Sequence, residues 1–249
     1  MSDFNLGGAR SYPTQADMSV DAGLRSFMLG VYNKMALGLL LSAALAYVTT
    51  AYAPVRDLLY VVKADGSLNN ITMLGTAVRF LPLVVIIGSM FALRNPSPRA
   101  AGALYWTIVT SIGAGAGIWL LMYTGASVFM TFLITAAAFG GLSLFGYVTK
   151  RDLTGMGSFL IMGVWGLVLA SLANMFLNLP MMSFVINALG VLIFSGLVAF
   201  DTQRLKLTYY EMGGDQASMG VATSYGALNL YLNFINLFQF LLAFVGVRR

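Results

Sequence analysis

The chain has 249 residues, of which 59% are hydrophobic and only 9% are charged. This composition excludes a soluble globular domain, whose surface needs many more polar side chains, and it predicts an integral membrane protein. The net charge of +5 comes without a basic stripe interleaved with aromatic residues, so it does not favour binding of nucleic acid.

The first 30 residues are rich in Gly, Ser, Asp and Ala and predict a flexible cytoplasmic tail. The rest of the chain, 31–249, contains apolar stretches that each approach the ~20 residues needed to cross the hydrocarbon core. There are seven of them: 35–53, 77–93, 101–123, 128–148, 156–177, 181–200 and 225–247. The predicted fold is therefore all-α, a polytopic membrane protein with seven transmembrane helices in one domain.

The basic residues of the short connections predict the orientation, because Lys and Arg accumulate on the cytoplasmic side. Alternate connections carry them, as Arg94 with Arg99, Lys150 with Arg151, and Arg204 with Lys206. This pattern places the N-terminus in the cytoplasm. An odd number of spans then places the C-terminus on the opposite side of the membrane.

Small residues in two of the stretches predict close contacts between helices. Gly113, Gly115 and Gly117 lie in the third stretch, and Gly140 and Gly141 lie in the fourth. Small residues let helix backbones approach each other within a membrane. These five glycines are accordingly interpreted as packing contacts.

The absence of two residue types excludes most enzyme classes. The chain contains no His and no Cys, which removes thiol nucleophiles, Ser-His dyads, and metal or haem sites built on imidazole or thiolate. An intramembrane aspartyl protease needs two carboxylates that share a proton, and Asp201 is the only carboxylate at any of the apolar stretches. The sequence therefore predicts neither an enzyme nor a bound cofactor.

A polar cluster marks the candidate site. Asp201 follows the sixth stretch, and an ionisable group at membrane depth is costly enough to suggest a function. Asn229, Asn233 and Asn236 are spaced four and three residues apart, so they share one face of the seventh helix. Arg94, at the end of the second stretch, is the predicted counter-ion for Asp201. Two simpler interpretations stay open: Asp201 marks the membrane interface, and the asparagines join neighbouring helices.

Three runs of sequence carry a family resemblance. They are FGGLSLFGYVTKRDLTGMGSFL (Phe139 to Leu160), GVLIFSGLVAFDTQRLK (Gly190 to Lys206) and ALNLYLNFINLF (Ala227 to Phe238). Together they resemble the bacterial branch of the Bax inhibitor-1 family of membrane proteins. The resemblance implies that six helices surround the C-terminal seventh, that the protein resides in a bacterial inner membrane, and that it forms a pH-sensitive calcium leak.

The resemblance also implies roles for individual residues. In the family pattern, an Asp at the end of the sixth helix and an Asp in the seventh form a proton-sensitive latch, with which an Arg from the second helix can pair. Asp201 matches the first Asp and Arg94 matches the Arg, but Asn233 stands where the second Asp is expected. Asn can bond to a carboxylate without titrating, so the resemblance implies a pH response that is weakened or moved to more acidic pH.

Two functions from different classes follow. The first is a passive leak for calcium or another cation, with a cytoplasmic gate formed by Asp201, Asn233 and Arg94 and lined by Asn229 and Asn236. One carboxylate offers calcium only a weak and transient contact, because hard cations prefer several oxygen ligands. Further polar lining could come from Ser195, Asn174, Asn187 and Gln239. The second function is a non-conducting regulator that binds another membrane protein, such as a membrane-anchored protease, through its N-terminal tail and the connection 205–224.

Overall fold

A computed structural model describes residues 22–212 and 215–249 of the chain. The described part consists of helices joined by short connections and one β-hairpin. The elements are α1 (Ala22–Ala51), α2 (Ala53–Leu59), β1 (Tyr60–Val62), β2 (Leu68–Ile71), α3 (Met73–Ala92), α4 (Pro98–Met122), α5 (Gly125–Val148), α6 (Thr154–Leu177), α7 (Pro180–Glu211) and α8 (Gln216–Val245).

Seven of the described helices, all but the short α2, are long and apolar enough to cross a membrane. The last of them, α8, lies at the centre and packs against α1, α4, α5 and α7. The remaining two complete the ring from outside, since α3 packs on α4 and α6 packs on α7. This arrangement confirms the predicted all-α membrane fold.

The sequence of α8 explains its central position. Ala227, Leu230, Tyr231, Phe234 and Phe238 recur at helical spacing and are all buried in the main core. Other apolar residues of the same helix are buried on different faces, among them Leu228, Leu237 and Leu242. A helix that is apolar on several faces has to be surrounded by other elements.

The first helix differs from its prediction. It begins at Ala22 rather than at residue 35, so residues 22–30 belong to a helix and not to the predicted tail. Leu24, Phe27, Met28 and Val31 are buried at helical spacing in the main core, which explains the extension. The predicted tail otherwise covers residues 1–21, which lie outside the described part of the chain.

The last two helices are also longer than predicted. Helix α7 continues beyond Asp201 to Glu211, and α8 begins at Gln216 rather than at residue 225. The extension of α7 is held against α8 by Leu205, whose Cδ2 would lie only 2.5 Å from a Cβ on Gly226. The predicted connection 205–224 is therefore mostly helical. The carboxylate of Asp215 accepts a hydrogen bond from Ser218 N (2.9 Å) and caps α8.

One end of the bundle carries an antiparallel hairpin, in which Tyr60 pairs with Ile71 and Val61 pairs with Asn70. Gly66 in its turn has φ +79°, a conformation that favours glycine. The chain terminus lies at the same end, where Thr124 N donates to Val247 O (3.0 Å). We call this the hairpin end, and we call the opposite end, which carries the connection 149–153, the Asp201 end.

The glycines that were predicted to be contacts between helices differ in whether another helix approaches them closely. A Cβ on Gly113 would lie 2.7 Å from Ser42 Cα, and one on Gly117 would lie 2.6 Å from Thr49 Oγ1, so α1 and α4 approach closely there as predicted. The predicted contacts at Gly140 and Gly141 are wrong, because a Cβ at either position meets open space. The close approach of α5 to α7 occurs instead at Gly146, beside the backbone of Ala199.

Candidate functional site

The centre of the candidate site is a hydrogen bond between two buried side chains on neighbouring helices. Asn233 Nδ2 on α8 donates to Asp201 Oδ2 on α7 at 2.7 Å. Asp201 is 7% exposed and Asn233 is 6% exposed. The structure thus brings together the two residues that the sequence predicted to meet, and it holds the central helix to α7 through them.

The counter-ion is not the predicted one. Asp201 Oδ1 pairs with Arg204 Nη2 on the same helix at 3.0 Å. Arg94 is exposed beyond the end of α3, and it takes no part in the ion pairs of the described residues. The reason is the unpredicted length of α7, because a helix that continues past Asp201 places Arg204 one turn away on the same face.

Three hydroxyl groups meet at Thr202, the residue that follows Asp201 in α7. Thr202 Oγ1 donates to Val198 O at 2.8 Å and lies 3.5 Å from Ser143 Oγ on α5. Tyr32 Oη on α1 lies 3.4 Å from the same Thr202 oxygen. Tyr32 and Ser143 also line an open groove of about 610 Å³ between α1 and α5. The candidate site therefore adjoins a groove at the Asp201 end.

Gln203 holds the connection between α5 and α6 in place. Its Oε1 accepts from Leu153 N at 2.8 Å, and its Nε2 donates to Arg151 O at 2.7 Å. Within the same connection, hydrogen bonds from the Thr154 side chain and backbone N–H lower the pKa of Asp152. Gln203, which lies two residues after Asp201 in α7, thereby fixes the backbone of this connection.

Lys206 completes the set of polar groups on this segment of α7. Its Nζ donates to Tyr147 O at 2.5 Å and lies 5.1 Å from the centre of the Tyr147 ring. Tyr147 belongs to the last turn of α5, whose carbonyl groups lack partners within the helix. Lys206 is buried and caps this helix end.

The other predicted asparagines do not join Asp201. Asn229 lies half-buried one turn before Asn233. Asn236 Nδ2 donates to Leu232 O of its own helix at 2.8 Å, and its side chain lines a separate cleft between α3, α4 and α8. Gln239 lines the same cleft. The single polar face predicted from the spacing is therefore divided between two places.

The sequence analysis overlooked Thr202, Gln203 and Tyr32. A signal was present for the first two, because polar residues at consecutive positions of one helix point in different directions and each needs a partner when buried. Tyr32 carried no signal, since its partner is 170 residues away in the sequence. Asn174, predicted as further polar lining, instead closes the turn between α6 and α7 by accepting from Leu179 N at 3.0 Å.

The chemistry available at the site is limited. Within residues 22–212 and 215–249, no group of three acidic side chains is arranged as a metal site. Asp201 offers one carboxylate, with one oxygen bound to an amide and the other to a guanidinium. Such a group can exchange partners and can contact a passing cation, but it cannot bind calcium tightly.

The fold and the site define a helical integral membrane protein with a buried carboxylate contact between its central helix and a neighbouring one. A family model described as Inhibitor of apoptosis-promoting Bax1 matches residues 24–249. The chain belongs to the Bax inhibitor-1 family, as its sequence motifs predicted.

Several bacterial proteins are similar to the chain over nearly its full length. An uncharacterized protein of Caulobacter vibrioides is 65% identical and covers 100% of both chains. An uncharacterized protein of Rickettsia prowazekii is 39% identical and covers 95% of each chain. The inner membrane protein YbhL of Escherichia coli K12 is 37% identical over 92% of this chain and 94% of its own.

Proposed function

We propose that the protein is a slow, passive leak for calcium or a similar cation, controlled at the contact between Asp201 and Asn233. The observation that carries the proposal is the buried hydrogen bond of 2.7 Å between these residues. A carboxylate inside an apolar bundle is costly, and its position between the central helix and α7 suits a group that opens and closes a path. In this proposal the Asp201 end faces the cytoplasm and the protein resides in an inner membrane, as the name of the E. coli relative suggests.

An aromatic cluster supports a closed path beyond this contact. Phe234 on α8 lies 5.4 Å from Phe132 and 5.5 Å from Phe139, measured between ring centres. Phe132, Phe234 and Trp119 also line an apolar cavity of about 130 Å³. A constriction lined by such groups excludes water and ions until it widens. The rings would thus act as a hydrophobic barrier next to the polar contact.

The replacement of the family's second Asp by Asn233 predicts a particular pH behaviour. The Asn233 amide donates to Asp201 while the carboxylate stays ionised, so closing the contact requires no proton. Two carboxylates at the same distance would repel each other unless they shared a proton. We therefore expect Asn233→Asp to add a pH-dependent step to the leak at a less acidic pH than in the wild type.

The test is calcium flux into liposomes carrying the purified protein, recorded at several pH values. Asn229→Asp is the matched control, because it adds the same charge one turn away without contact to Asp201. The proposal predicts a changed pH profile for Asn233→Asp and a wild-type profile for Asn229→Asp. Equal changes in both variants would contradict a specific contact. Absence of flux above empty liposomes would overturn conduction altogether and favour the alternative of a regulator that binds another membrane protein.

A further inference from the structure

A second polar region lies in the other half of the bundle. Helices α3, α4 and α8 surround a cleft of about 290 Å³. Its polar lining comes from Arg79, Ser111, Asn236 and Gln239. Arg79 is the seventh residue of α3, about 9 Å along the axis from the start of that helix at the hairpin end. The cleft is thus separate from the Asp201 contact.

Arg79 carries a charge that has no acidic partner within the described part of the chain. The ion pairs among residues 22–212 and 215–249 are Arg56 with Asp57 and Arg204 with Asp201. A cationic side chain within a membrane-spanning helix normally pairs with an anion or reaches the interface. Its field extends to Tyr60 of the hairpin, since burial raises the pKa of Tyr60 and the Arg79 charge opposes that rise. The cleft is therefore a positively charged region.

Hydrogen-bonding groups converge on the same space. Ser111 lines the cleft, and its position is fixed because its Oγ donates to Thr107 O at 2.7 Å. Asn236 is also held by a bond to its own helix, whereas the Gln239 side chain is exposed. The guanidinium of Arg79 offers a planar fork of donors, which matches the oxygens of a phosphate group.

The walls of the cleft are apolar and open toward lipid. Leu83 and Ile86 on α3 face Leu232 and Ile235 on α8 across it. Helix α3 is the least buried of the described helices that are long enough to cross a membrane. A soluble anion would gain nothing from these walls, whereas acyl chains would bury apolar surface against them. The combination of a cation with apolar walls fits an amphiphile.

We propose that the cleft between α3, α4 and α8 binds an anionic phospholipid from the leaflet at the hairpin end, with Arg79 holding its phosphate and the walls holding its chains. Gln239 adds an amide within the cleft that can donate to the same group. The bound lipid would supply the negative charge that residues 22–212 and 215–249 do not place beside Arg79. This inference does not depend on conduction, because no step of it involves Asp201.

Native mass spectrometry of the purified protein with added phosphatidylglycerol tests the proposal. Arg79→Gln should weaken retention of the lipid about tenfold, because it removes a charge-assisted pair of hydrogen bonds. Arg79→Lys keeps the charge but not the planar fork of donors, so its retention of the lipid should lie between those of the wild type and Arg79→Gln. Arg99→Gln is the matched control, since Arg99 is an exposed arginine at the opposite end of the bundle.

Two outcomes would overturn the proposal. Retention of phosphatidylglycerol by Arg79→Gln at the wild-type level would show that the lipid binds elsewhere. Displacement of the lipid by millimolar inorganic phosphate, with phosphate retained in its place, would show that a soluble anion is the ligand. Thermal unfolding of each variant without lipid establishes that the compared proteins are folded. A wild-type melting temperature for Arg79→Gln would attribute its loss of lipid to the site itself.

Discussion

Replacement of Asn233 by alanine tests the contribution of the central contact to stability. The change removes the Asn233 amide donor, which lies 2.7 Å from Asp201 Oδ2, and leaves that buried carboxylate oxygen without this hydrogen bond. Hydrogen bonds to charged groups contribute about 1.5–3 kcal/mol. Arg204 remains beside the other oxygen, but its side chain is 46% exposed, so solvent screens much of that interaction.

We therefore expect Asn233→Ala to lower the free energy of unfolding by about 2 kcal/mol, equivalent to about a 30-fold change in the unfolding equilibrium. Equilibrium unfolding in detergent micelles measures this quantity. Asn229→Ala is the control, because it deletes the same group from the same helix at a half-buried position one turn away. Its expected effect is below about 0.5 kcal/mol, the range of changes away from specific contacts.

An equal loss of stability in the two alanine variants would refute this reasoning, because the loss would then reflect the helix position and not the contact with Asp201. A loss confined to Asn233→Ala but below about 0.5 kcal/mol would refute it as well. In that case water or another side chain replaces the amide at little cost, and the contact would not hold α7 to α8.

Two further predictions concern packing around the site. Gln203→Leu leaves Leu153 N–H without its acceptor, so hydrogen exchange of that amide should become at least about tenfold faster, and an unchanged rate would contradict the proposed role of Gln203. Gly146→Ala places a methyl group against the Ala199 carbonyl and should destabilise the protein by about 1–3 kcal/mol, whereas Gly140→Ala meets open space and should change thermal stability by less than about 0.5 kcal/mol. Equal melting temperatures of the two alanine variants would disprove the close contact at Gly146.

The number and order of the membrane helices could be predicted because hydrocarbon thickness imposes a minimum length on apolar stretches. The ends of α7 and α8 could not be predicted in the same way. Beyond Asp201 the chain becomes polar, so a prediction from hydropathy ends the helix there. In the structure, however, Leu205 and Lys206 are buried against neighbouring elements. Polar residues that bond within the bundle resemble a loop when only composition is considered.

The wrong prediction that Arg94 pairs with Asp201 follows directly, because the helical segment after Asp201 was not predicted. If α7 ended at Asp201, the nearest predicted cation would come from another helix. Three more residues of helix bring Arg204 into contact instead, since residues i and i+3 are neighbours on a helix surface.

The sequence analysis also missed the β-hairpin, although a signal for it was present. The pair Asp65 and Gly66 lies between two short extended segments, and such a pair is typical of a tight turn.

The geometry at Asp201 gives the substitution in the family pattern a physical meaning. An ionised carboxylate can only accept hydrogen bonds, so a second Asp at position 233 could bond to it only by carrying a proton. The amide of Asn233 always carries its donor, and Arg204 neutralises the charge from the other side. The contact between α7 and α8 therefore needs no additional proton in order to form. In the proposed leak, closure of this contact needs no shared proton, so we expect a pH response that is weakened or moved to more acidic pH relative to the family pattern.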